Sequence, residues 1–107
     1  METTITARHG EIPEALRTRV ARLVERLARL ATRPTAAHVT FDLEHQRATA
    51  ELRLVAARGV VHVASAAAAD HRTALDRVAA KLRRQLDKRE IKPRRGAGRA
   101  GRSPRSA

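Results

Sequence analysis

The stretch Asp70–Lys88, DHRTALDRVAAKLRRQLDK, decides the fold. Counted at 3.6 residues per turn from Leu75, the residues Val78, Ala79, Leu82 and Leu86 fall on one narrow apolar face. Such a face must be buried against a partner layer. Arg77, Lys81, Arg84 and Lys88 recur on the opposite side at steps of four, three and four. A helix of this kind docks on a core and offers regularly spaced cations to something anionic. Asp70 is the expected N-cap, because its carboxylate can accept from N–H groups two or three residues on.

The partner layer is legible immediately upstream. Val39, Phe41 and Leu43 alternate with Thr40, Asp42 and Glu44, and Ala50, Leu52 and Leu54 alternate with Thr49, Glu51 and Arg53. Alternation of this kind marks half-buried antiparallel strands. Arg58-Gly59 is a hairpin turn into a further strand, Val60 to Ser65, since glycine accepts the positive φ such turns demand. That last strand leaves its buried face open, because Val61 and Val63 oppose Val60, His62 and Ala64. Towards the amino terminus, Thr3 to Ala7 reads as a short strand with Ile5 as its strongly apolar residue.

A first helix begins near Pro13, where proline's missing N–H is tolerated and Glu14 complements the dipole. Its seam is Leu16, Val20, Leu23, Leu27 and Leu30, and the Arg33-Pro34 step is expected to break it. Arg19, Arg22, Arg26, Arg29 and Arg33 form a second basic stripe beside that seam. The order is therefore β-α-β-β-β-α, an α+β domain with both helices on one face of a four-stranded sheet.

Charge narrows the function. The 107 residues carry 23 basic and 11 acidic side chains, a formal net charge of +12, which favours nucleic acid or an anionic surface. From Lys92 onward come six cations with Gly and Pro, no acid and no large apolar residue, the composition of a disordered basic tail. Residues 1–91 hold the other 17 cations and all 11 acids, so this domain keeps +6 of its own.

Other classes fall away on residue type. With no cysteine, disulfides, zinc ribbons and thiol catalysis are excluded. The five histidines lack the spacing of helical metal sites, so no metal and no cofactor is expected. His38 and His62 could stack on neighbouring strands. Ser65, Asp70 and His71 are close in sequence, yet no glycine-framed elbow surrounds Ser65 and Asp70 is better used as a cap. The expectation is a protein that catalyses no reaction and takes no small-molecule substrate. No stretch of about 18 apolar residues could span a bilayer, and Met1 to Arg8 has no apolar signal region, so the expected location is cytoplasmic. One aromatic residue, Phe41, cannot supply the stacking platforms of single-strand RNA readers. What remains is recognition of phosphate and shape.

Ile5-Thr6 before a polar turn, then Glu11 to Arg17, Ala64-Ser65, Asp70, Ala74-Leu75-Asp76 and Lys81-Leu82-x-Arg84-Gln85-Leu86-x-Lys88 together resemble the ribosome hibernation-promoting factors, also known as ribosome-associated inhibitors or sigma-factor modulation proteins. The match runs from about residue 3 to residue 92. The resemblance implies a domain similar in shape to double-stranded RNA-binding domains, lodged on the small ribosomal subunit where it overlaps the mRNA path and the tRNA sites. It implicates Lys81, Arg84, Lys88 and Lys92 in rRNA contact, with Arg89 standing in for a further cation that relatives place where this chain has Glu90. Arg77, Arg19, Arg22, Arg26 and Arg29 extend that set by spacing alone. Relatives usually carry tyrosine where this chain has Arg72. Long members add a carboxy-terminal dimerisation domain for which nothing here is long or apolar enough, so the chain is expected to be the short form, monomeric off the ribosome. The alternative reading is a general nucleic-acid-binding or nucleoid protein whose tail supplies most of the affinity. A regulator that contacts a sigma factor rests only on the family's older name.

Overall fold

The computed structural model describes residues 1–88. The elements run β1 (Glu2–Ala7), α1 (Glu14–Ala28), β2 (Ala36–Glu44), β3 (Arg47–Val55), β4 (Val61–Ala68) and α2 (His71–Leu86). They make one sheet in the order β1-β2-β3-β4, with β1 parallel to β2 and both other pairs antiparallel. A parallel neighbour cannot follow through a tight turn, so α1 serves as the crossover. This is the expected β-α-β-β-β-α domain. The expected basic tail, residues 92–107, lies outside the described residues.

Alternation fixes which face the helices cover. Ala37, Val39 and Phe41 of β2, Ala50, Leu52 and Leu54 of β3, and Ala64 and Ala68 of β4 point to one side, where they meet Leu16, Val20, Val24 and Leu27 of α1 and Ala74, Leu75, Val78, Leu82 and Leu86 of α2. Val24 belongs to this core, whereas Leu23 and Leu30 of the expected seam are only half-buried beside it. The other sheet face is open and carries Thr4, Thr6, His38, Thr40, Glu51, Arg53, Val63 and Ser65.

Several local expectations are corrected. Helix α1 stops at Ala28, five residues before Arg33. Leu30 and Ala31 donate to the carbonyls of Leu27 and Ala28 in a final tight turn, and Arg33 takes a left-handed φ of 49° ahead of Pro34. Strand β4 continues to Ala68, three residues past Ser65. Alanine is a weak strand former, but Ala66 and Ala68 pair opposite Ala50 and Ala48, and completing that ladder overrides propensity. Its buried face is that of His62 and Ala64, while Val63 is 39% exposed. His38 and His62 do not stack, because they point to opposite faces and β2 and β4 are not neighbours. Leu43 is 47% exposed although its ladder partner Ala48 is buried, so the expected buried face of β2 ends at Phe41.

The two hairpins turn differently. Arg58 and Gly59 take φ of 64° and 74° between β3 and β4, as the sequence suggests. His45 and Gln46 also take positive φ, 53° and 64°, between Glu44 and Arg47. A two-residue turn with both φ positive matches the twist of its strands, yet neither residue announces it the way Asn-Gly would.

Candidate nucleic-acid interface

The start of α2 is pinned in three ways. Asp70 caps it by accepting from the Thr73 N–H at 2.8 Å, as expected. The His71 ring meets Phe41 edge-on at 5.4 Å, and its Nε2 lies 3.0 Å from the Asp42 carbonyl. Ring packing at this end of the helix thus comes from His71, leaving Arg72 exposed. Ser65, Asp70 and His71 are therefore in separate employment: Ser65 faces outward on β4, Asp70 caps, and His71 packs on the sheet.

Asp42 in turn anchors the end of β1. It accepts from the Leu43 N–H at 2.8 Å, and His9 Nδ1 and Arg8 lie 2.5 Å and 3.7 Å from its oxygens. The Leu43 N–H, with help from His9 and Arg8, holds the Asp42 carboxyl below its ordinary value of 3.8. The Thr73 N–H, aided by the Thr73 side chain and Arg72, does the same for Asp70. A carboxylate with a depressed folded-state value contributes stability above its unfolded value and loses it as pH falls through the folded value. The contribution of both groups is thus complete at neutral pH and disappears below 3.8. In thermal melts, the double variant Asp42→Asn/Asp70→Asn is expected to lose less on acidification than the native chain. Equal losses would mean that these carboxylates do not shape the acid limb.

The ten cations expected to contact RNA sort into four groups. Arg19 is committed: its Nε and Nη2 donate to the two oxygens of Asp76 at 2.8 and 3.0 Å, a fork-to-carboxylate pair that ties α1 to α2. The same carboxylate raises the Arg19 pKa, through the hydrogen bond first and the charge second. Arg77 and Lys81 are also engaged. They reach along the flank of α2 to donate to the β4 carbonyls of Ala67, at 2.9 Å, and Ser65, at 2.8 Å. Gln85 donates to Val63 O at 2.8 Å in the same row. These two cations therefore border the docked face, whereas Arg84 and Lys88 stand clear of it.

Arg22 and Arg26 of α1 and Arg29 at its end, with Arg84 of α2 and Lys88 just past its end, have no ion pair or side-chain hydrogen bond to another described residue. Arg89 and Lys92 lie outside the described residues. Two positions absent from the expected set join the helical surface. Arg72 shares a concavity with Arg19, Arg22 and Arg26 at the start of α2, and Arg83 shares the adjoining one with Arg26 and Arg29 above Leu23, Leu27 and Ala79. Their signal was present in the sequence: Arg72, Asp76, Ala79 and Arg83 recur at steps of four, three and four down the side of α2 that meets α1.

Charge is thus sorted by layer. The helix side carries these arginines and Lys88 in excess over Glu14, Glu25, Asp76 and Asp87, whereas the open sheet face holds Asp42, Glu44 and Glu51 against Arg47 and Arg53. An anion approaching from the helix side meets cations fixed on rigid elements. Among the described residues there is no group of three or more His, Cys, Asp or Glu side chains that could hold a metal ion, and no helix long and apolar enough to cross a membrane.

Known structures share this architecture. A ribosomal subunit interface protein from Coxiella burnetii superposes with a TM-score of 0.73 at 22% identity, covering 86% of this chain and all of that one, a likeness of fold. The Protein Y N-terminal domain of Thermus thermophilus superposes with a TM-score of 0.69 at 27% identity, over 79% of this chain and 93% of that one. No curated protein sequence matches significantly. The family described as Sigma 54 modulation protein / S30EA ribosomal protein matches residues 3–94. With most of its length matched and the fold shared, the chain belongs to the Sigma 54 modulation protein / S30EA ribosomal protein family.

Proposed function

We propose that this protein is a ribosome hibernation factor: it binds rRNA of the small ribosomal subunit with its helix side and sterically blocks the mRNA and tRNA sites, idling and protecting the ribosome without catalysing a reaction. The observation that carries the reading is the sorting of charge, with Arg22, Arg26, Arg29, Arg84 and Lys88 on one side of the domain and unpaired among the described residues. Guanidinium forks held on packed helices suit the phosphates of a folded RNA, which presents shape and backbone more than base edges. Family membership supplies the ribosome as the RNA in question. Arg72 and Arg83 extend the proposed surface. Arg19 serves it indirectly by fixing α1 against α2 through Asp76.

Co-sedimentation with purified small subunits tests this reading. The protein is expected to travel with the subunits at low salt and to leave them as salt rises, because displaced counterions make phosphate binding salt-dependent. Protein that stays at the top of the gradient at low salt would overturn it.

A further inference from the structure

β4 is an edge strand, and its outer edge is unusual. In an antiparallel ladder a residue turns its N–H and its C=O to the same side. The carbonyls of Val63, Ser65 and Ala67 receive Gln85, Lys81 and Arg77 and so point away from β3, and their N–H groups point away with them. The row is possible because α2 runs antiparallel to β4 with a matching repeat. Four helical residues advance about 6 Å, and two strand residues about 6.7 Å. Positions 77, 81 and 85 therefore keep step with positions 67, 65 and 63.

A bare edge alternates donors and acceptors and so templates another strand. Here three carbonyls already accept a side-chain donor each, and the N–H groups beside them are left. Arg77 and Lys81 also keep spare N–H groups beside them, since a guanidinium has five and an ammonium three. An incoming peptide strand would have to compete with Gln85, Lys81 and Arg77 for the carbonyls of Val63, Ser65 and Ala67. A chain that only accepts, and is negative, fits better.

Resting on the reading that the protein binds rRNA, we propose that this edge is a nucleic-acid contact in its own right, receiving the sugar-phosphate backbone of a single strand on the N–H groups of Val63, Ser65 and Ala67 between the cationic heads of Arg77 and Lys81. The surroundings limit where that strand runs. Glu51 stands opposite Ser65 on the open sheet face, with Asp42 and Glu44 further along, so the strand is held to the edge and the α2 side. Recognition is of backbone, since the one Phe, Tyr or Trp side chain, Phe41, is buried in the core and offers no base a stacking surface.

Titration of the full-length, nitrogen-15-labelled protein with a short oligouridylate tests the proposal. The amide resonances of Val63, Ser65 and Ala67 are expected to shift saturably and more than that of Ala64, which faces the core. Ser65→Pro deletes one outward donor while sparing the ladder, since proline is tolerated where an edge N–H faces solvent. It should weaken oligouridylate binding about tenfold, the scale of one hydrogen bond to a charged acceptor. Ser65→Ala keeps the N–H and should stay within about twofold.

Edge amides that do not move at saturation would overturn the proposal, as would native affinity in a folded Ser65→Pro. So would an extended peptide that shifts these amides more than RNA does. If Ser65→Pro does not fold, Ala67→Pro and the titration of the native chain decide. Co-sedimentation with small subunits alongside silent edge amides would sink this inference alone, whereas responsive amides without co-sedimentation would sink only the ribosomal reading.

Discussion

Reversing both charges in Arg84→Glu/Lys88→Glu is expected to weaken binding to small ribosomal subunits about a hundredfold at moderate salt, with the melting temperature nearly unchanged. Both side chains are exposed and neither is tied to another described residue, so the folded state loses no internal contact with them. The complex should lose two phosphate partners and gain two repulsions. Each lost contact removes roughly one unit from the slope of log affinity against log salt. The double variant should therefore bind with a visibly flatter salt dependence. Sedimentation or fluorescence titration over a salt series reads both quantities. Unchanged affinity and slope would remove the outer face of α2 from the interface.

The companion expectation concerns the seam of the same helix. Leu82→Ala should destabilise the domain by about 3 kcal/mol, within the range of roughly 2–5 for truncating a buried leucine and leaving a cavity. Leu82 is fully buried in the same core as Leu52, Leu54 and Leu86. For a domain this small the loss corresponds to a drop in melting temperature of roughly 12–24 °C. Calorimetry or a thermal melt followed by circular dichroism measures it. A drop of only a few degrees would mean that α2 is not docked on the sheet through this face. The two variants separate the faces of one helix, because one should lose RNA and keep its fold while the other should lose stability.

Gln85 lies between those two roles. By sequence it is a polar residue in a helical run, and nothing in its spacing ties it to β4. Placed beside the edge, it completes the row with Arg77 and Lys81. Two residues expected only as RNA contacts thus also donate to carbonyls of the sheet edge. Arg19 underwent a similar change of role. In the sequence it is one more member of an arginine stripe, and its partner Asp76 is 57 positions away.

Periodicity determined the helices, the strands, their order, the buried faces of α2 and β3 and most of those of α1 and β2, because side-chain direction repeats every 3.6 or two residues whatever the distant chain does. The composition pointed to an anionic partner. Tertiary structure decided what periodicity leaves balanced. The inward face of β4 carries His62 and Ala64 and the outward face Val61 and Val63, a contest settled by pairing with β3 and by the approach of α2. It also decided which cations are free, since a guanidinium or ammonium group pairs with whatever acceptor folding brings within about 3 Å. Asp76, Ser65 and Ala67 became such acceptors only once α2 lay against α1 and β4.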